Sequence, residues 1–488
     1  MKKYYDIIII GAGPSGLTLA TCCIDLNLKI LIIDKNNEIG GCHRVTRIKF
    51  DNEFLFTEHG PRVYSSSFLN FKKILNQINF NFSDFFVPYN FQLSEIGNKT
   101  LLSVLTKYEL FVFFKHFFYF LFNNNYGKNI TMDSFLKNNN FSVNSIDIID
   151  RICRLTDGAG IDKYTLNEFF ELPNQHFFYK MYQPKYPNDI GLFKYWKKYL
   201  KSNNVEFMLN TNVDEIIMDN NLITSCIVNN NIIYGNKFVL AIPPFSIYKI
   251  IKNSNNKLLN IFNNLTKNNN FEQYTFQSKY IDYISICFHW NIKLFLPKVH
   301  GLSYTDWGIV FVVLSDYMQF SEYNSKTVIS VAITITDKKS SNIYKTANEC
   351  SEYELIQETF KQLQFSFPNL IIPTYSLLSP TNKFINNKWI SDDSAFITVA
   401  NFGFLPFKNN IISNLYNLGT HNGKHKYKFT TLESAVSNAM ILSCDLFPIL
   451  KSKYIPLSSI YSFRFFLFVI IICIFIILCF KSGCDMKK

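Results

Sequence analysis

Residues 6–10, Asp-Ile-Ile-Ile-Ile, pass without a break into Gly11-Ala12-Gly13-Pro14-Ser15-Gly16, and no other feature of the 488-residue chain restricts its fold as much. A continuous β-branched run predicts a strand buried on both faces. The pattern then predicts a helix over 15–26 and a second buried strand over 29–33 that ends at Asp34. Strand, glycine turn, helix, strand and acid in this order form a dinucleotide-binding fingerprint. Gly11 permits the tight turn, Gly13 lets backbone amides, with Ala12 and Ser15 beside it, approach a pyrophosphate, and Gly16 lets the helix pack closely. Asp34 stands 23 positions after Gly11, where a ribose hydroxyl would find an acceptor.

Six residues past Asp34 come Gly40 and Gly41, then Cys42, His43 and Arg44. This resembles the extended FAD motif of the flavin amine oxidase superfamily, where a glycine pair and an arginine follow the acid at that spacing. That superfamily takes in monoamine and polyamine oxidases, protoporphyrinogen oxidase, phytoene-type desaturases and UDP-galactopyranose mutase. Its arginine usually follows the glycines directly, whereas here Cys42 and His43 intervene. Three further segments match in the same chain order. Phe56-Thr57-Glu58-His59-Gly60-Pro61-Arg62 is similar to the segment beside the isoalloxazine, and its Gly-Pro-Arg is most like protoporphyrinogen oxidase. Residues 205–216, followed by Ala241-Ile242-Pro243-Pro244, resemble the added strands of the FAD sheet and the exit from it, with Val213 at the position that meets the adenine. Leu418-Gly419-Thr420 and Thr431-Leu432-Glu433-Ser434 resemble the closing strand and the helix whose N-terminus points at the flavin.

The resemblance implies an α/β fold: a Rossmann-like FAD-binding domain of the amine oxidase type, interrupted by a mixed α+β substrate domain. The FAD-binding part is expected over 1–75, 205–244 and 406–450, and the substrate part over 76–204 and 245–405. It also implies an oxidoreductase that transfers hydride from a small lipophilic or amine-type molecule to FAD. In many amine oxidases a lysine on the strand after the Pro-Pro exit holds a water near the flavin; laid on residues 283–290 that place falls at Ser285, with Lys279 nearby. The family's covalent flavin cysteine has no counterpart, Cys444 lying on the wrong side of the closing motif, so non-covalent FAD is expected. His43, His59 and His421 fall in flavin-contacting segments and could each move a proton, although a histidine bonded to cofactor or backbone is the more usual case. No catalytic residue is assigned. Two other readings stay open: a flavin isomerase similar to UDP-galactopyranose mutase, and a non-catalytic FAD-binding scaffold.

Composition argues against several other classes. Fifty Phe, 28 Tyr and repeated Asn runs mark a general drift, which devalues any single aromatic or asparagine and any chance Asn-x-Ser/Thr site. The net charge of +12 comes from scattered Lys and Arg with no basic block, so no nucleic-acid partner is expected. Eleven cysteines without a Cys-x-x-Cys pair read as reduced structural thiols, and no metal site is visible.

Near the C-terminus, residues 465–480 carry no charge, and with Phe463 and Arg464 the stretch spans roughly 27 Å at ~1.5 Å per residue. A transmembrane anchor is therefore expected over 463–480, with membrane lipid as a partner and the catalytic body in the cytosol. The densely aromatic residues 110–122 are too short to span and are expected to form a buried helix of the second domain.

Overall fold

The computed structural model describes residues 3–89, 104–157, 159–176, 179–278, 283–296, 301–302, 304–391, 403–424, 430–458 and 461–485. The principal sheet has seven strands. Strand Tyr4–Ile10 lies at its centre, parallel to Ile30–Ile33 on one side and to Asn231–Leu240 on the other. Glu206–Met208 extends the first side in parallel. On the other side Asn231–Leu240 divides its edge: its first half pairs antiparallel with Leu222–Val228, and Phe238–Leu240 pairs parallel with Leu415–Asn417. Val213–Asp219 completes the meander.

The unbroken apolar strands have a simple cause. Ile7, Ile9, Ile30 and Ile32 enter one core with Leu17, Ala20, Val436 and Met440, from helices Pro14–Cys23 and Leu432–Leu446. Ile8, Ile10, Leu31 and Ile33 enter a second with Ile247 and Ile251, from helix Pro244–Ser254. Neither face meets water, so alternation with polar residues would be penalised on both.

A second, antiparallel sheet has five strands in the order Gly301–Leu302, Ile309–Val313, Thr327–Ile333, Ile284–Trp290, Tyr375–Leu378. Ile284, Ile286 and Phe288 point to helix Glu352–Leu363, while Cys287, Val312 and Val328 meet Val45 and Phe56 of the hairpin Val45–Phe50 and Glu53–Glu58. That second contact brings this sheet against the segment following Asp34. A helical cluster, including Lys107–Phe122, Val143–Asp157 and Leu166–His176, has its own aromatic core.

Two expectations need correction. Helix Lys107–Phe122 buries only Glu109, Val112, Phe113 and Phe120 among its residues, while Tyr108, Phe111, Phe114, Phe118, Tyr119 and Phe122 are exposed. A helix apolar all round gives no hint of which side faces inward. At the C-terminus a helix runs over Phe463–Asp485, tied down by Arg464, which donates to the Phe120 carbonyl at 2.8 Å and pairs with Glu171 at 2.6 Å. Among the described residues no helix is long and apolar enough to cross a membrane, so the span expected over 463–480 has no support.

Candidate functional site

The glycine loop packs against the strand ends with no room to spare. Gly11 has φ +114°, and a Cβ there would fall 2.3 Å from the Ala241 carbonyl oxygen; one on Gly16 would fall 2.1 Å from the Gly11 oxygen. The loop therefore lies flat on the sheet, and helix Pro14–Cys23 starts directly above it. Its N-cap, Gly13, has no side-chain cap, and Pro14 occupies the first turn, where its missing N–H costs nothing. The first amides of the helix remain available to an anion.

Asp34 faces this loop. Its Oδ2 accepts from the Ala12 amide at 2.7 Å and its Oδ1 from the Asn36 amide at 2.8 Å. Burial raises its pKa, an effect opposed by these two amides and by the charge of Arg44. The Gly40 amide donates to the Ala12 carbonyl at 2.9 Å, which folds the glycine pair back over the loop, and Arg44 bonds the Gly41 oxygen at 3.2 Å. Thr211, whose amide donates to the Asp34 carbonyl at 2.9 Å, leads Asn212, Val213 and Asp214 to the same place.

From here a cavity of about 980 Å³ runs past Cys42, His43 and Arg62 to an apolar end lined by Leu155, Leu172, Met181, Tyr283 and Val310–Val312. Gly419, Thr420, His421 and Thr430–Leu432 form another wall. The inner end fits a dinucleotide on its own geometry: a flat glycine cradle that a Cβ would fill, an uncapped helix start, and a carboxylate opposite. Among the described residues no group of three His, Cys, Asp or Glu could hold a metal ion.

Residues 9–78 match the NAD(P)-binding Rossmann-like domain family. A UDP-galactopyranose mutase of Mycoplasma genitalium is 31% identical over 96 residues, 20% of this chain and 21% of that protein. The chain spans about a fifth of the length of the curated relatives it matches. Likeness in structure extends much further. A putrescine oxidase solved bound to putrescine superposes with a TM-score of 0.62 at 11% identity, over 92% of this chain and 100% of that one. Cyclohexylamine oxidase from Brevibacterium oxydans gives 0.62 at 13% identity, over 91% and 99%. The chain has the flavin amine oxidase fold.

Within that fold the expected site residues divide into three groups. Gly11, Gly13, Ser15, Asp34, Gly41, Arg44, Pro61, Arg62, Val213 and Gly419 line the one cavity. Ala12, Gly16, Gly40 and Gly60 lie just behind the lining and shape it through backbone contacts; a Cβ on Gly60 would sit 2.6 Å from the Tyr283 ring. Glu433 and Ser434 are not in the lining. Glu433 is buried and turned to helix Leu69–Gln77, whose first amides it accepts, and Ser434 bonds back to Thr431 within a capping box. Ser285 also misses the cavity: it is buried, and its hydroxyl donates to the His59 carbonyl. Tyr283 is the residue that enters the cavity just before this strand, and the described lysines in the lining, Lys35 and Lys249, stand at the nucleotide end. Lys279 lies outside the described residues.

The sequence did not single out Tyr64, Tyr283 or Asn188. His43 Nδ1 lies 3.1 Å from Tyr64 Oη, and Asn188 Nδ2 lies 3.2 Å from the same hydroxyl and 3.1 Å from the His43 carbonyl. Burial, with the charge of Arg62, pushes the His43 pKa well below its usual value, and burial brings that of His421 down to about 3. His59 contacts Ser391 at 3.2 Å and packs its ring 4.8 Å from that of Tyr283.

Proposed function

We propose that this protein is an FAD-dependent oxidoreductase acting on an apolar small molecule. A single observation carries the reading: the glycine cradle with Asp34 and the apolar chamber at Val310–Val312 are two ends of one cavity. FAD would supply the two-electron acceptor. The amides over Gly13 and Ser15 would bind its diphosphate, Asp34 a ribose, and the Val213 segment the adenine end. The start of helix Leu432–Leu446, reached through Thr430 and Thr431 in the lining, directs its positive end into the cavity and favours negative charge gained there. The walls at Leu155, Leu172 and Met181 would exclude water and hold the reacting carbon in place. Burial lowers the His421 pKa to about 3, so this ring is neutral near neutrality.

A second reading, the flavin isomerase, is favoured by the match to UDP-galactopyranose mutase over the N-terminal region. One experiment separates them. Purified full-length protein, loaded with FAD, is mixed anaerobically with amines, a porphyrinogen and a polyene while flavin absorbance is followed. Bleaching by one class supports the oxidoreductase; nucleotide-sugar interconversion only after chemical reduction supports the isomerase. Bound FAD that responds to neither supports a scaffold.

A further inference from the structure

Hydrogen-bond polarity fixes which groups His43 and Arg62 present to the cavity. Asn188 Nδ2 contacts the His43 carbonyl, which can only accept, so the amide nitrogen and not the oxygen must face it. Its second hydrogen then goes to Tyr64 Oη. Tyr64 is fully buried, and among the described residues its own phenolic hydrogen has one acceptor within reach, His43 Nδ1 at 3.1 Å. The opposite arrangement would leave a buried hydroxyl hydrogen unsatisfied, at a cost of about 1–3 kcal/mol. His43 is consequently the neutral tautomer with its proton on Nε2, and no described residue accepts that proton.

Arg62 stands beside it. Its guanidinium donates to the Cys42 carbonyl and touches Cys42 Sγ at 3.9 Å, which occupies only part of its fork. No carboxylate lies within ion-pair distance of it among the described residues; Glu58 acts on it through its charge but is outside the lining. The acids that do line the cavity, Asp34 and Asp214, are both at the nucleotide end. A half-buried cation with no ion pair in the lining, next to a fixed neutral donor, calls for an anionic oxygen on whatever fills the space.

We propose that His43 Nε2–H and Arg62 form the receptor for a carboxylate on the substrate, so that the enzyme acts on apolar carboxylic acids and discriminates against amines. One guanidinium balances one carboxylate; a phosphate dianion would leave a buried charge unmatched. An ammonium would meet the charge of Arg62 with no acid in that part of the lining to bind it. This inference rests on the oxidoreductase reading for the word substrate, but its test does not depend on turnover. Benzoate, benzamide and benzylamine are titrated into the FAD-loaded protein by calorimetry. Benzoate is expected to bind at least tenfold more tightly than either of the others, Arg62→Met to remove that preference, Arg62→Lys to restore part of it, and Tyr64→Phe to weaken benzoate by freeing the His43 tautomer. Equal binding of benzylamine, or an undiminished benzoate preference in Arg62→Met, overturns the proposal. Loss of FAD from Arg62→Met also overturns it, because the guanidinium would then serve the cofactor. Absence of flavin reduction by every substrate would defeat the oxidoreductase reading and leave the benzoate result standing.

Discussion

Glu433 and Asn70, 363 positions apart, are bonded twice: Glu433 Oε1 accepts the Asn70 amide at 2.9 Å and its side-chain Nδ2 at 2.8 Å. Its other oxygen accepts the Phe71 amide at 2.9 Å. One carboxylate thus caps helix Leu69–Gln77 from the first turn of helix Leu432–Leu446, and locks the closing helix to the segment that follows the glycine motifs.

Glu433→Ala should therefore act on stability. It strands two buried amides, at roughly 1–3 kcal/mol each, so a loss of about 3 kcal/mol or more is expected in denaturant unfolding. A cofactor contact would predict the reverse, weakened FAD retention with unfolding unchanged.

Gly11→Ala should act on the cofactor site. The new methyl meets the Ala241 carbonyl at 2.3 Å from a backbone with φ +114°, so the loop must lift from the sheet. FAD retained after gel filtration should fall at least tenfold, a change of about 1.4 kcal/mol in binding. Retention equal to wild type would mean that the cradle is elsewhere.

Glu58 supplies a test by pH. It is buried, its Oε1 has no hydrogen-bond partner, and burial pushes its pKa up to about 7 against the pull of Ser330 and Arg62. The folded state keeps a proton that the unfolded chain releases at about 4.5, so stability is full below that value and declines as pH rises through about 7. Glu58→Gln removes this penalty. Its melting temperature relative to wild type should be higher at pH 8 than at pH 5, and the same offset at both pH values would contradict the assignment. The comparison must be between variants, because His43 and His421, with lowered pKa values, contribute a loss of stability in acid of the opposite sign.

The nucleotide half of the site was legible because its signals are local. Gly11, Gly16 and Asp34 are forced by backbone geometry within one strand–helix–strand unit, and the strands between them show their double burial in an unbroken apolar run. The other half was not. Tyr64 and Asn188 meet across 124 positions and Tyr283 reaches the same cavity from a third segment, and in a chain with 28 tyrosines and many asparagines no one of them stands out. Glu433 was misread for a related reason: an acid at a helix start near the flavin segment looks like a cofactor contact until its partner, Asn70, is seen. The exposed aromatic face of Lys107–Phe122 had no polar counterpart to reveal it.

The most direct test of the central claim is the absorbance spectrum of the purified full-length protein after incubation with FAD and removal of the excess. A flavin spectrum at close to one FAD per chain, with the flavin released into solution on heat denaturation, is the predicted result. Protein that retains no flavin, or that takes up a nicotinamide dinucleotide in its place, would contradict the account.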